Sequence, residues 1–269
     1  MKIAEVIERI EKKHGVLPLE KTCDGVIYGN TDQNCTGIIL TCNPSISILQ
    51  QAAELGYNLV ICHEPTFYHG YDEREKIQKT EVVKSKMDLL DKYGIVIYRD
   101  HDQVHMEKQD MIYTGIIKAL GWEKYACSNH FFPVSGYKIP ETTLEELAGD
   151  ICRKIHIDGT RIVGDPKMPV KYVGLTAHFL GDDQECIKVI EEEKYDVILS
   201  LETVDWTVVA YVMDSNASGR TVGLISPGHF NLEEAGMKIM QVWVEDAVEH
   251  NIPVMFLPSG NMFRWVSTK

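Results

Sequence analysis

Apolar runs of strand length alternate along this chain with stretches whose apolar residues recur at helical spacing. The opening MKIAEVIERIEKK sets Ile3, Val6, Ile7 and Ile10 on one face amid charges throughout, which predicts an amphipathic helix and not a secretory leader. GIILTC at 37–42 leads into a predicted helix from Pro44 to Leu55, then the strand NLVIC, a helix from Thr80 to Tyr93 and the strand GIVIY. Strands that are apolar on both faces and separated by helices predict a buried parallel sheet. After Gly121 a second series begins with a helix from Thr142 to Ile155, opened by the capping pair Thr142 and Thr143 with glutamates in its first turn. KYVGLTA, a helix near Asp183 to Glu193, YDVILSL, a helix around Asp205 to Met213 and TVGLIS follow.

The two series resemble each other. YNLVICHEP (57–65) aligns with YDVILSLET (195–203), which sets Glu64 opposite Glu202 and His63 opposite Leu201. GIVIYRDH (94–101) aligns with VGLISPGH (222–229), pairing His101 with His229, and four residues further on stand His105 and Glu233. The expected fold class is therefore α/β, with two similar three-layer units related by pseudo-duplication. The units are expected over 1–127 and 128–269, with the helix and strand of 231–269 packing back on the first.

Composition narrows the class. A chain of 269 residues that is 44% hydrophobic and 25% charged is long enough, and mixed enough, for two globular units. Seven cysteines, an odd number without a CxxC pair, argue against a disulfide framework and against a thiolate zinc knuckle. A net charge of −13 without a basic patch disfavours nucleic acid as a partner. No apolar run is long enough to suggest a membrane span, and a cytoplasmic protein is expected.

In a parallel sheet, the residues that follow the carboxyl ends of the strands gather at one edge, where such proteins place their sites. His63, Glu64, His101 and His229 all stand just past an apolar strand, so they are expected to meet, with the site between the two units. His101/His105 and His229/Glu233 have the i, i+4 spacing that points two side chains the same way on a helix. Imidazole and carboxylate together suit zinc, iron or manganese, as one ion or as two sharing a carboxylate. Each element also has a bland reading: a histidine beside a glutamate is commonly a surface or capping residue, and Asn231 and Glu234 could cap the helix through Ile239 and Trp243. His14, His130, His156 and His250 lack a partner at ligand spacing and are expected in surface or structural roles, while His178, His69 and Tyr68 could approach the site. There is no GxSxG, GxxxxGK[ST] or GxGxxG following a strand, so an enzyme of this sequence would work through its metal.

His63-Glu64-Pro65, His101-Asp102-Gln103-Val104-His105 and Gly228-His229-Phe230-Asn231-Leu232-Glu233 occur in the order of three family patterns: His-His-Pro, His-Thr-Asn-x-Asp and Gly-His-x-x-x-Glu. With Asp24-Gly25-Val26, Leu144-Glu145-Glu146-Leu147, Arg161-Ile162-Val163-Gly164 and Asn261-Met262-Phe263, the sequence resembles the Ngg-one-interacting-factor-three-like family over nearly its whole length. That family, also named the GTP cyclohydrolase I type 2 homologue family, has dinuclear-metal α/β proteins. The resemblance implies that His63, Glu64, His105, His229 and Glu233 are metal ligands, with a ring-shaped homo-hexamer as the assembly. Two positions depart from the pattern: Glu64 stands where a second histidine is usual, and His105 where an aspartate is usual. One imidazole has become a carboxylate and one carboxylate an imidazole, which keeps the number and type of ligands.

The leading expectation is a metal-dependent hydrolase acting on a small molecule. A bound divalent ion brings the pKa of its water near neutrality without any serine or cysteine nucleophile. His101 and Glu233 are then candidates for moving protons, and Arg99, at a strand end, for holding an anionic substrate group. The family name suggests opening of a purine ring, but nothing in these residues reads a guanine. The alternative is a non-enzymatic metal-bearing oligomeric scaffold or adaptor with a protein partner.

Overall fold

The computed structural model describes residues 1–15, 19–127, 133–181 and 183–266, so that His130 lies outside the described residues. The chain divides into two compact units, Met1–Gly115 with Glu234–Ser259, and Ile116–Glu233 with Gly260–Lys269.

Unit 1 begins with α1 (Ile3–His14), which buries Ile3, Val6, Ile7 and Ile10, the stripe read from the sequence. β1 (Gly25–Tyr28) precedes β2 (Ile38–Thr41), α2 (Ile46–Leu55), β3 (Leu59–Cys62), α3 (Glu81–Tyr93) and β4 (Val96–Arg99). β2, β3 and β4 run parallel, Ile38 pairing with Leu59 and Leu59 with Val96, and every residue in the three is buried. One face of these strands, Ile39, Val60, Cys62 and Ile97, packs on Ile48, Leu49 and Ala52 of α2 and on Val83 and Leu90 of α3. Alternation along a strand puts Leu40, Ile61 and Tyr98 on the other face, also buried. α2 starts two residues later than Pro44, because Ser45 is its N-cap and accepts a hydrogen bond from the Ile48 amide. The short α4 (Asp102–Met106) and α5 (Met111–Leu120) follow β4.

Unit 2 opens with an additional strand, β5 (Val134–Thr143), and then repeats this order. α6 (Leu144–Ile155) and β6 (Arg161–Val163) precede β7 (Pro169–Thr176), α7 (Gln184–Glu193), β8 (Val197–Ser200), α8 (Ala210–Ala217) and β9 (Gly223–Ser226). β7, β8 and β9 are parallel, β6 lies antiparallel on β9, and β5 antiparallel on β7, giving the order β5-β7-β8-β9-β6. Thr143, the last residue of β5, caps α6 through a capping box with Glu146, so Thr142 lies within the strand instead of opening the helix. The expected helix over 205–213 is broken: an irregular turn over Asp205–Val209 precedes α8, with Thr207 at φ −99°, ψ −119°. There the Thr207 hydroxyl donates to the Val204 carbonyl at 2.7 Å, a local bond that competes with helix formation.

α9 (His229–Ala247) begins in unit 2 and continues into unit 1, where β10 (Val254–Phe256) pairs in parallel with β2. The unit 1 sheet is thus β1-β4-β3-β2-β10, with β1 antiparallel on β4. Both units therefore place an antiparallel strand beside the third of three parallel strands, and they differ at the opposite edge. Within unit 1, α5 and α9 cross at glycines: a Cβ on Gly236 would lie 2.4 Å from the Ile112 Cα, and one on Gly115 2.4 Å from the Gly236 Cα. Among the described residues no helix is long and apolar enough to cross a membrane.

Candidate metal centre

The end of β3 carries His63 and Glu64. Their amides donate to Thr41 and Cys42 at 3.3 and 2.8 Å, prolonging the pairing with β2 past the end of the strand. The amide of Asp100, just past β4, donates to the Cys62 carbonyl at 2.9 Å in the same way. Two neighbouring strands thereby deliver His63 and His101 side by side, with their rings stacked at 4.4 Å and 21°. His105, one turn along α4, sets its ring 5.0 Å from each of the other two. Ring nitrogens of His63, His101 and His105 all lie within 4.8 Å of one another.

Each ring is oriented by an oxygen on its Nδ1. The partner is the Asp100 carbonyl for His63 at 3.2 Å, Asp102 Oδ1 for His101 at 3.0 Å and Asp110 Oδ2 for His105 at 2.8 Å. Carbonyls and ionised carboxylates only accept, so Nδ1 carries the proton and the lone pair of the neutral ring falls on Nε2. This oxygen–histidine pattern is the one that orients imidazole ligands in metalloproteins. Three converging imidazoles are a donor set suited to zinc, iron or a similar ion.

α4 is five residues long, too short to hold itself, and its start is held from a distance. Asp24, just before β1, accepts the amides of His101, Asp102 and Gln103 at 2.8, 2.9 and 2.8 Å. Burial raises the Asp24 pKa, although these hydrogen bonds oppose it. Asp102 also accepts from the Thr22 hydroxyl and the Cys23 amide, and its hydrogen bond to His101 holds its carboxyl well below the usual range. Asp110 uses its second oxygen to accept the Tyr113 amide at 3.0 Å, at the start of α5. Cys23 lies near His101 and Asp102, with ligand atoms within 4.8 Å. Burial pushes its thiol up to about 12, so in the metal-free protein it is not a thiolate at neutral pH.

Glu64 is buried, with a carboxylate oxygen within 4.8 Å of a ring nitrogen of His63. In unit 2, His229 opens α9 with Nδ1 3.2 Å from Glu202 and Nε2 2.9 Å from Glu233, and the His178 ring lies 5.2 Å away.

The sequence pattern of Duf34/NIF3 (NGG1p interacting factor 3) matches residues 1–261. The chain belongs to this family. Solved structures with the same fold include Staphylococcus aureus hypothetical protein SA1388, at 18% identity, TM-score 0.76 and 99% coverage of both chains. A Bacillus cereus protein related to NIF3 matches at 15% identity and TM-score 0.74, again over 99% of each. Reduced HcgD from Methanocaldococcus jannaschii matches at 20% identity and TM-score 0.67, over 96% of this chain and 98% of that one. No curated protein matches the sequence.

The two positions expected from the resemblance to be departures, Glu64 and His105, both fall in unit 1: His105 joins the ring cluster and Glu64 stands beside His63. Arg99 is not poised for a substrate. It is 3% exposed, its Nε donates to the His63 carbonyl at 2.9 Å, another nitrogen donates to the Gly70 carbonyl, and Asp72 lies 3.6 Å away. These contacts fasten the loop after His63. The buried Lys86 fastens it too, donating to the Thr66 carbonyl at 2.7 Å. Tyr68 in that loop is exposed at φ +61°, and His69 is exposed beside Glu73. His156 ends α6, and His250 is exposed near Asp246. The sequence reading misses Asp110, Asp102 and Asp24 as orienting groups. An aspartate directly before a helix is a recognisable cap, and that signal could have flagged Asp110.

Proposed function

We propose that the His63, His101 and His105 cluster binds a divalent transition metal and that the protein is a metal-dependent hydrolase acting on a small molecule. The observation that carries the reading is the convergence of three rings, each with Nδ1 committed to an oxygen acceptor. When bound, a divalent ion supplies Lewis acidity and brings the pKa of water near neutrality. Glu64, buried beside His63, adds a carboxylate to the donor set, compensating in charge and type for His105 standing at an aspartate position. Asp102 and Asp110 hold the protons of His101 and His105 on Nδ1, so those rings present a lone pair on Nε2. Membership of the Duf34/NIF3 family supports the reading.

The test is metal analysis of purified protein, followed by turnover on a panel of phosphate esters and nucleotides with and without chelator. Turnover that requires metal and is lost in His63→Ala is expected. Stoichiometric metal without turnover on any member of the panel would instead favour a metal-bearing scaffold.

A further inference from the structure

His14, the last residue of α1, turns its side chain inward and not to the surface. Its side chain is 2% exposed, and its ring lies 4.3 Å from that of Trp243. Nε2 is 3.0 Å from Asp100 Oδ2 and Nδ1 is 2.8 Å from Glu107 Oε1. A neutral imidazole has one N–H and a carboxylate only accepts, so both contacts are hydrogen bonds when the ring is an imidazolium. Burial disfavours that charge, but the hydrogen bonds and charges of Asp100 and Glu107 outweigh it and hold the pKa above its ordinary value.

The two carboxylates have particular places in the chain. Asp100 stands between β4 and His101; its carbonyl is the partner of His63 Nδ1, and its carboxylate is fully buried. Glu107 follows the last residue of α4, two positions after His105. One ring therefore grips both ends of the segment that carries two members of the cluster. A histidine at a helix C-terminus is also favoured by the helix dipole alone. That explanation accounts for the position of His14 but not for these partners.

We propose that His14 is a positioning residue for the three-histidine cluster, an imidazolium that clamps the 100–107 segment so that the rings of His101 and His105 stay converged with that of His63. In its bearing on metal the inference rests on the metal reading of that cluster; in its bearing on the segment it does not.

The experiment compares the full chain with His14→Gln and Glu107→Gln by two readouts. Amide hydrogen exchange of the metal-free proteins over 101–107 reports the clamp, and cobalt(II) titration followed by visible absorption reports the cluster. For His14→Gln the expected result is exchange at least several-fold faster over 101–107, with β2 and β3 unchanged. Loss of a group that orients ligands costs about tenfold or more in metal affinity, so a cobalt dissociation constant raised about tenfold, with an altered spectrum, is expected. Glu107→Gln, which keeps the His14–Asp100 pair, is expected to move both readouts the same way by less. A folded His14→Gln protein with parental exchange over 101–107 and a parental cobalt titration overturns the proposal. If the parent takes up no cobalt, the metal reading fails and exchange alone decides the clamp. If His14→Gln does not fold, parental behaviour of Glu107→Gln in both readouts overturns it.

Discussion

His101/His105 and His229/Glu233 have the same i, i+4 spacing after equivalent parallel strands, yet the two segments are supported differently. The first pair spans the N-cap, His101, and the body of a helix of five residues, while the second lies within one of nineteen. Asp24, Asp110 and His14 reach α4 from elsewhere in unit 1, holding its start, one of its rings and its end. His229 lies between Glu202 and a glutamate of its own helix. A sequence spacing thus specifies which residues can meet, while the length of the element decides how much of the geometry is supplied from outside. Two chemistries are also separated: three converging imidazoles in unit 1, and at His229 an imidazole flanked by two carboxylates.

The comparison can be broken most forcefully at the long helix. In Gly236→Ala the new Cβ meets the Ile112 backbone, which cannot yield as a flexible side chain would. A loss of about 3 kcal/mol is expected, at the upper end for overpacking, visible as a large drop in thermal unfolding temperature. Next is Asp24→Ala, which leaves three amides of the short helix without their acceptor. A capping loss of about 2 kcal/mol is expected, with hydrogen exchange accelerated over 101–107 and unchanged around His229. Equal acceleration at both places would show that α4 is no more dependent on outside support than α9.

How far each region is legible follows the same division. The parallel strands are readable because burial on both faces leaves an uninterrupted apolar run, as in LVIC and VILS. The edge strands are not. β1 is half-exposed with a bulge after Val26, β10 has three residues, and β5 contains Pro140 where its register with β7 shifts. In the site, His63, His101 and His105 are readable from their places after strands, whereas Asp24 and His14 act over 77 and 86 positions in sequence. Spacing cannot reveal such partners: it leaves His14 between a surface and a structural role and offers Arg99 as a substrate contact. Burial and hydrogen bonding give both of them framework roles.

Two smaller effects sharpen the contrast. Thr143→Ala, at the capping box of α6, should cost about 1 kcal/mol while leaving cobalt binding at the His63 cluster unchanged. For His14, a folded-state pKa above its ordinary 6.5 means that its contribution to stability is complete below 6.5 and is lost as pH rises through the folded value. The stability difference between the parent and His14→Gln, followed by urea unfolding from pH 5.5 to 8.5, should therefore shrink as pH rises. A difference that grows with pH would contradict the imidazolium.

The most direct test of the metal reading is X-ray absorption at the zinc edge on protein loaded with one equivalent of zinc, for the parent and for His63→Ala, His101→Ala and His105→Ala. Imidazole scattering is predicted in the parent, diminished or lost with the zinc in each variant. Zinc that is retained with the same imidazole signal in all three variants would contradict the account.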